Sequence, residues 1–549
     1  MRAVERVKAS TMKKTSRASL LGRLVSVAAL LPALLLGIDG WLDALSVTPS
    51  IAATLAAVLP LDPRSPSLAV LVTGALAAFL LAIGLWRGKR FAWWLALVVL
   101  TAGAVQQGVA MHHPFGALVA LACVALLVLD RGRYVVASPP KARRTVVALV
   151  GIGLAAPLLL VVGGFRPLDV ASGWESWLAL GDPIRAIGTT DPSVMLSLMA
   201  LARVPLVLAL LLILKPAPEP HMTQETARRA ADVARRYGHG ALLPFQLAPD
   251  KLLFSDAAYD AVIVYGRSGR VACLLGDPIG PTAQAWHLFD AFLNACRERD
   301  WVPAVYQSSS RARGPLLERG FRCYCIGHEA LLPLASFDLV GRSRANLRHT
   351  IARARRGGVQ VQWYPEGLEA EEARRRWPEL EALDRAWRRG SGPQMGFTLG
   401  GFCRSILEDR PIAIAEGKDG RAIAFVTFLP TGADDGWVVD LMRRQPGSVP
   451  GALEWCIAEA ATHLRRAGDR MLSLGLAPLA AIGGRHTPLP ERVLAAFAWA
   501  VRPLYDVKGL ARFKEKFDVS WEAKYLAVRH PADLGSVGIG LLALHLRRH

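Results

Sequence analysis

Apolar residues dominate the chain up to about Lys215, and charged residues recur every few positions beyond it. Pro216, Pro218 and Pro220 follow the apolar part as a linker that cannot remain helical. This change of pattern is the main domain boundary. The charged part has roughly 330 residues and is long enough to bury one large core or two modest ones.

The apolar part has the pattern of membrane-spanning helices, each of which needs roughly 20 mostly apolar residues. About six spans are predicted, and 48–61 is a further apolar stretch of re-entrant or interfacial type. The predicted spans are 19–38, 66–86, 91–111, 115–130, 145–164 and 193–214. We therefore expect an α-helical transmembrane bundle over 19–215, preceded by a basic tail over 1–18.

Lysine and arginine are concentrated in alternate connections of this predicted bundle. The tail, the 87–90 connection and the 131–144 connection are basic, whereas the intervening loops are acidic and poor in basic residues. Basic loops remain on the cytoplasmic side of a membrane. The pattern therefore predicts that both ends of the bundle and the whole charged part are cytosolic.

In the charged part, short apolar strands and helices follow one another in the same order twice. The first pass predicts strands at 261–265, 271–275 and 302–307 around a helix at 283–299; the second predicts strands at 412–416, 422–428, 436–442 and 470–476 around a helix at 452–467. This is the pattern of a mixed α/β acyltransferase fold used in tandem. The expected boundaries are 216–222 for the linker, 223–340 for the first fold, 341–400 for a basic connecting helix region and 401–549 for the second fold with the catalytic motifs.

The segment 440–451 holds the most informative polar residues. It leaves a predicted strand and turns through Gly447 and Gly451 into a helix, whose free N–H groups beside arginine would form an anion site. The spacing from Arg444 superficially resembles the pyrophosphate loop of GNAT-type N-acetyltransferases, although its second glycine comes too late for a close match. Asp440 and Arg443 are candidates for a general base and a phosphate or oxyanion partner, with a structural Asp–Arg pair as the alternative.

Basic residues crowd the predicted connecting helix, and no acidic residue interrupts them. They are Arg342, Arg344, Arg348, His349, Arg353, Arg355 and Arg356. At helical spacing they form a face suited to a phosphate backbone or an anionic bilayer, and a merely solvated face is an equal alternative. The net charge of +20 favours polyanionic partners without choosing between lipid and nucleic acid.

The remaining polar and thiol residues have plain structural interpretations. Segment 473–479 has the pattern of a buried strand with a turn, and 513–517 pairs lysines with core-type aromatics. The 7 cysteines show no paired spacing of the kind that zinc sites need. Their scatter favours a reducing compartment.

Taken in order, these segments resemble the phosphatidylglycerol lysyltransferase family, the aminoacyl-phosphatidylglycerol synthases of multiple peptide resistance factor type. The similar segments are Tyr265 with 276–280, then 326–330, 337–341, 346–348, 440–443, 473–480, 513–517 and 521–526. Each is weak alone, but together they run in register through the whole charged part.

The resemblance implies two tandem GNAT-like folds beneath the bacterial inner membrane. They would transfer an aminoacyl group from aminoacyl-tRNA to the glycerol hydroxyl of phosphatidylglycerol, without acyl-CoA, metal or any other cofactor. Lysyl- or alanyl-phosphatidylglycerol would lower the negative charge of the membrane and confer resistance to cationic peptides or acid. The partners implied are aminoacyl-tRNA, phosphatidylglycerol and the anionic membrane, and homo-oligomerisation stays open.

The resemblance also gives roles to individual residues. An aminoacyl ester is already activated, so the reaction needs a base for the hydroxyl and donors for the oxyanion, with no nucleophilic Ser or Cys. Asp440 is the expected base and Arg443 the expected phosphate or oxyanion partner. The expected substrate-binding residues are Glu329 (toward the α-amino group), Lys514 and Lys516 (toward the tRNA 3′-end phosphates), Arg444 and Ser473.

Some features depart from the family or leave other classes open. His328 stands where the family leads us to expect an acidic residue beside Glu329. Full-length relatives have a larger membrane part that moves the product across the bilayer, and the count of about six spans leads us to expect that this export module is missing or truncated here. We also expect no appended aminoacyl-tRNA synthetase domain. An acyl-CoA-dependent transferase and a non-enzymatic lipid-binding transporter or sensor remain alternatives, and the sequence does not identify the amino acid.

Overall fold

The computed structural model describes residues 68–105, 114–136, 144–152, 204–219, 223–391, 396–398, 400–432, 436–478 and 507–547. The chain forms two compact units. The first consists of Met1–Glu219 with Arg297–Trp301, and the second of Pro220–Cys296 with Val302–His549.

The described part of the first unit is helical. Its helices are α1 (Leu68–Trp86), α2 (Arg90–Val105) and α3 (Pro114–Leu129), with further helical residues at 144–152 and 204–213. In the described ranges, no helix combines the length and the apolar character that crossing a membrane requires. The span predicted at 19–38 lies outside the described residues, and those at 66–86, 91–111, 145–164 and 193–214 are described only in part. The six-span bundle therefore stays a prediction.

The second unit is built on one 11-stranded sheet with the strand order β1-β2-β3-β4-β11-β5-β10-β9-β8-β7-β6. The strands are β1 (Leu252–Phe254), β2 (Ile263–Ser268), β3 (Val271–Leu275), β4 (Val302–Ser308), β5 (Arg322–Pro333), β6 (Gln360–Tyr364), β7 (Ile412–Glu416), β8 (Ala422–Pro430), β9 (Gly436–Arg444), β10 (Met471–Pro478) and β11 (Ser520–Val528). A mixed α/β class is thus confirmed for the charged part.

Helices pack on both faces of this sheet. They are α4 (Gln224–Tyr237), α5 (Leu243–Gln246), α6 (Thr282–Arg299), α7 (Arg313–Glu318), α8 (Ala345–Arg356), α9 (Ala370–Ser391), α10 (Ser405–Asp409), α11 (Ala452–Ala467), α12 (Val507–Glu515) and α13 (Leu534–His545). Helices α8 and α11 share one core with β7–β10, whereas α9 packs through Leu380 and Leu383 against a second core that includes Phe425.

The repeat expected from the sequence is present in the strand pairing. In the first pass, α6 connects the parallel strands β3 and β4, and β2 pairs antiparallel with β3. In the second pass, α11 connects the parallel strands β9 and β10, and β8 pairs antiparallel with β9. Each parallel pair thus has a helical crossover, which this connection requires.

The end of the chain completes the half of the sheet that the first pass builds. Strand β11 lies between β4 and β5, pairing antiparallel with both, and Trp521 aligns with Ala330. Helix α13 then packs on β2 and β3, where a Cβ added at Gly540 would lie 2.9 Å from the Cβ of Val271. Because these contacts join distant parts of the chain, the two passes depend on each other for a complete core.

Candidate active site

The sheet opens between β9 and β10. These strands pair at three positions only, ending where Ser473 aligns with Val438, whereas β3 and β4 stay paired at five. Beyond this point β9 continues along β8, and β10 continues along β5. Asp440 and Gly475 follow directly after the divergence. In α/β sheets, ligands bind at the carboxyl ends of strands where neighbouring strands part.

Asp440 lies in a β-bulge of β9. Asp440 and Leu441 together oppose Thr427 of β8, so that one strand has an extra residue. The hydroxyl oxygen of Thr427 accepts a hydrogen bond of 3.1 Å from the N–H of Leu441 and satisfies the displaced donor. Bulges re-aim side chains next to functional sites, and this one lies in the candidate base motif.

Both carboxylate oxygens of Asp440 have donors from other elements. Oδ1 accepts from the N–H of Gly400 at 2.8 Å, and Oδ2 pairs with Arg410 Nη1 at 2.5 Å. The side chain is fully buried; burial raises the pKa of the Asp440 carboxyl, and the Arg410 guanidinium opposes this shift. Each carboxylate oxygen can accept further hydrogen bonds, so these contacts orient the group without using all of its lone pairs.

Arg443 pairs with helix α9 and not with Asp440. Its Nε donates to Asp384 Oδ1 at 2.7 Å, and its guanidinium carbon lies 4.0 Å from the ring centroid of Trp387. Arg388 pairs with the other oxygen of Asp384. Burial lowers the pKa of Arg443, and Asp384 opposes that shift. The structural pair of Asp440 with Arg443, which the sequence left open as an alternative, is therefore not formed. Asp440 pairs with Arg410 and Arg443 pairs with Asp384.

A second polar cluster joins β11, β5 and β10. Ser473 Oγ donates to Glu329 Oε1 at 2.6 Å, and Lys524 Nζ lies 2.9 Å from Glu329 Oε2. Burial lowers the pKa of Lys524, but the pairing with Glu329 outweighs it and the net shift is upward. Lys524 is therefore an ammonium at neutral pH. Glu329 and Ser473, both predicted substrate-binding residues, are brought together here.

Lys514 of α12 lies beside this cluster and is buried. Its Nζ donates to the carbonyl oxygens of Gly475 and Leu476 at 2.9 and 2.8 Å, where the pairing of β10 with β5 is irregular. Burial lowers the pKa of Lys514 to about 7, and Glu329 opposes this shift. The expected contact between Lys514 and a tRNA phosphate stays a prediction, and it would require this side chain to leave both carbonyls.

The other two predicted substrate-binding residues lie apart from this cluster. Lys516 pairs with Glu454 of α11 at 2.8 Å. Arg444 is exposed at the end of β9, next to a shallow groove of about 350 Å³. The groove is lined by Gly357, Gly417, Lys418, Ile423, Gln445, Pro446, Gly447, Ser448 and Val449.

The six predicted arginines of the connecting helix divide into two groups. Arg344 and Arg348 hold the preceding loop: Arg344 donates to Ser336 O at 2.9 Å, and Arg348 donates to Leu339 O at 3.1 Å. The exposed ones are Arg342, Arg353, Arg355 and Arg356. The outward basic face is therefore smaller than the sequence indicated.

Several partners at the site were not identified from the sequence. Lys524 lies within the segment 521–526 that resembles the family, so this motif could have identified it as a candidate site residue. Asp384 and Arg410 carry no such signal, because only the packing of α9 and α10 brings them to β9. In the described part of the chain, no group of three or more His, Cys, Asp or Glu side chains could hold a metal ion.

The fold and the site define an α/β protein in which two similar passes share one sheet and polar side chains gather where that sheet opens. The family described as "Phosphatidylglycerol lysyltransferase, C-terminal" matches residues 232–528, which is more than half of the chain. The chain belongs to this family, and the resemblance inferred from its motifs is confirmed.

Known relatives agree with this assignment. A phosphatidylglycerol lysyltransferase of Bacillus subtilis is 26% identical over 479 residues, covering 86% of this chain and 54% of the relative. One from Staphylococcus haemolyticus is 27% identical over 316 residues, covering 57% of this chain and 37% of the relative. The chain thus spans about half, or less, of the length of these relatives.

Two solved structures are similar to the second unit. The structure of L-PGS from Bacillus licheniformis is 26% identical with a TM-score of 0.52, covering 60% of this chain and 99% of that one. The C-terminal domain of a putative lysylphosphatidylglycerol synthetase from Agrobacterium fabrum is 28% identical with a TM-score of 0.50, covering 58% of this chain and 97% of that one.

Proposed function

We propose that this chain is an aminoacyltransferase that moves an aminoacyl group from aminoacyl-tRNA to the glycerol hydroxyl of phosphatidylglycerol. One observation carries the proposal: Glu329, Ser473 and Lys524, from three separate family-like motifs, form one buried cluster beside the opening of the sheet. The names of the curated relatives supply the acceptor lipid.

The reaction exchanges one ester for another. The glycerol oxygen attacks the aminoacyl carbonyl, a new C–O bond forms, and the bond to the terminal ribose of tRNA breaks. The hydroxyl proton passes to a base and then to the departing ribose oxygen. We assign this base to Asp440, because burial raises the pKa of its carboxyl while Arg410 and Gly400 fix its orientation.

Arg443 and the Glu329 cluster have supporting roles in this proposal. Arg443 is held by Asp384 and would stabilise negative charge on the oxyanion or on the lipid phosphate. Glu329 already accepts a hydrogen bond from Ser473 and pairs with the ammonium group of Lys524. Its remaining lone pairs would accept hydrogen bonds from the α-ammonium group of the substrate. Lys516, Arg444 and the exposed arginines of α8 are proposed phosphate contacts.

We also propose that each pass of the sheet is a GNAT-like acyltransferase fold. The strand–helix–strand repeat and the divergence of β9 from β10 support this. Acyl-CoA is not the favoured donor, because α8 packs against the start of α11: a Cβ at Gly451 would lie 2.5 Å from Thr350 O. This contact crowds the helix N-terminus that would otherwise attract a pyrophosphate.

A multi-pass anchor in the bacterial inner membrane, with the second unit in the cytosol, completes the proposal. The apolar pattern of 19–215 and its alternating basic connections support it. A reporter fused after Pro220 should report the cytosol, and one inserted in 165–192 should report the exterior. Finding the second unit outside would rule out a tRNA donor, since charged tRNA is cytosolic.

The decisive experiment measures transfer of labelled amino acids from charged tRNA to lipid in membranes that contain the full chain. We expect aminoacyl-phosphatidylglycerol, identified by mass spectrometry of the lipid extract, and this also names the amino acid. Omitting phosphatidylglycerol or using deacylated tRNA should abolish the product. Transfer from acyl-CoA without tRNA, or no transfer with any charged tRNA, would reject the proposed donor.

A further inference from the structure

Phe397 has a backbone conformation that side chains rarely adopt. Its φ is +63°, and the N–H of Thr398 donates to Gly396 O at 2.7 Å, so Phe397 is the central residue of a γ-turn. The γ-turn with positive φ is rare and strained, and such strain persists only where the surroundings enforce it. The contacts around the Phe397 ring show what enforces it.

The Phe397 ring is buried among residues from distant parts of the chain. It stacks on Tyr306 of β4 with centroids 6.4 Å apart, and it meets the ring of His545 edge-on at 5.6 Å. The ammonium of Lys251 lies 5.1 Å from its centroid. A Cβ added at Gly266 of β2 would lie only 2.6 Å from Cε2 of the ring. Gly266 therefore leaves space for Phe397 and also for Leu544, whose Cδ2 would lie 3.0 Å from that Cβ.

Helix α13 holds the backbone on both sides of Phe397. The N–H of Gly396 donates to His545 O at 2.6 Å, and the Thr398 hydroxyl lies 3.4 Å from His545 Nε2. His545 Nδ1 donates to Leu541 O, because a carbonyl oxygen can only accept. Burial lowers the pKa of His545 and keeps its ring neutral, so Nε2 accepts the Thr398 proton.

Two residues after Thr398, the chain reaches the proposed catalytic base. The N–H of Gly400 donates to Asp440 Oδ1 at 2.8 Å, and a Cβ at Gly400 would lie 2.6 Å from Oδ2. At Gly400 the backbone thus approaches the carboxylate as closely as a glycine allows. A shift of the turn would move this N–H from the carboxylate.

We infer that Phe397 is a positioning residue, whose γ-turn, clamped by Gly266 and His545, sets the Gly400 N–H on Asp440 and so fixes the orientation of that carboxylate. The inference rests on the proposed function for its catalytic consequence. The geometry itself involves β2, β4 and α13, none of which belongs to the catalytic motif. The strained turn would thereby connect the end of the chain to the reacting group.

The test inserts one methyl group against the ring and then makes room for it. Gly266→Ala should displace the Phe397 ring, which makes the shorter contact, whereas the flexible end of Leu544 can move slightly aside. Gly266→Ala/Phe397→Leu should restore the fit, because leucine lacks the clashing ring atom. Gly535→Ala is the matched control, since nothing lies within 4 Å of a Cβ there. All variants are made in the full chain, and thermal unfolding confirms that each one folds.

Two readouts separate positioning from a general loss of structure. Hydrogen–deuterium exchange at the Gly400 amide should become roughly tenfold faster in Gly266→Ala and recover in the double variant. In the transfer assay, kcat should fall about tenfold with little change in KM. The acid limb of the pH–rate profile should move to higher pH, because losing an N–H donor favours the protonated carboxyl.

The outcomes distinguish this inference from the proposed function. Unchanged Gly400 exchange in folded Gly266→Ala overturns the inference, and so does faster exchange with a wild-type kcat and pH profile. If the wild-type chain transfers no amino acid, the proposed function fails. The exchange measurement then still decides whether the turn holds Gly400 against Asp440.

Discussion

Ser473 Oγ donates a hydrogen bond of 2.6 Å to Glu329 Oε1, joining residues that are 144 positions apart in the sequence. The bond connects the two passes of the sheet, since Glu329 lies on β5 and Ser473 on β10. Lys524 of β11 pairs with the other oxygen of Glu329. The carboxylate is therefore the meeting point of three strands.

Glu329→Gln should be more damaging than Ser473→Ala. The first change leaves the largely buried Lys524 with only the more distant Glu522, at 3.6 Å, and should cost about 3 kcal/mol of stability, whereas the second removes one charge-assisted hydrogen bond worth about 1.5–3 kcal/mol. Thermal unfolding and the transfer assay measure both effects. Glu459→Gln on the solvated side of α11 is the control. Equal stability of Glu329→Gln and this control would contradict the assignment.

Asp440→Asn should keep the shape of the site and lower the transfer rate by roughly 10²–10⁴, the usual contribution of a positioned base. Gly400 can still donate to the amide oxygen, but the amide NH2 then faces Arg410 Nη1, which is also a donor, so thermal unfolding has to show that the variant is folded. Asp419→Asn, in the exposed turn between β7 and β8, makes the same chemical change away from the site. Wild-type transfer by Asp440→Asn, at matched protein abundance, would remove Asp440 from the mechanism.

Arg443→Lys should also lose transfer activity. A lysine has the charge of arginine but cannot reproduce the planar fork that contacts Asp384 and stacks over Trp387. The transfer assay should show a lower rate with little recovery at raised substrate concentration. Arg466→Lys, at an exposed position of α11, serves as the control. Full activity of Arg443→Lys would show that Arg443 contributes only its positive charge to the reaction and not its guanidinium geometry.

Lys514 should make the free energy of unfolding rise with pH in the neutral to alkaline range. The pKa of Lys514 is about 7 in the folded chain and 10.5 when burial is lost on unfolding. Between pH 7 and pH 10.5 the unfolded chain therefore binds more protons than the folded one. Stability therefore rises with pH in this window, by up to about 1.4 kcal/mol per pH unit. Lys514→Met abolishes this titration. Unfolding of both proteins from pH 7 to 10 should show the difference growing in favour of the wild type; parallel curves would contradict it.

The exposed arginines of α8 should contribute to polyanion binding. Arg353→Ala/Arg356→Ala removes two outward charges and should reduce the log–log salt slope of tRNA binding by roughly one unit per lost phosphate contact. Arg466→Ala is a matched control on α11. Filter binding with tRNA and flotation with phosphatidylglycerol vesicles separate the two candidate partners. Unchanged slopes for both would show that α8 has only a solvated face.

The repeated order of strands and helices in the charged part could be predicted from the sequence alone. Short apolar runs such as 422–428 and the helix at 452–467 are local signals, and the structure contains them as β8 and α11. The family motifs were also legible, because they are short and contiguous. Asp440 was identified in this way, since it ends an apolar strand before a glycine-containing turn.

Which of these residues contact one another could be seen only in the folded structure. No local pattern shows that β11 enters the sheet between β4 and β5, or that Arg410 and Asp384 take the two charges of the 440–443 motif. The same holds for Lys514, since no local pattern shows that this side chain is buried against the carbonyls of β10. Contacts between residues far apart in sequence depend on how whole elements pack, and that packing is set by the combined burial of many side chains and not by any one segment.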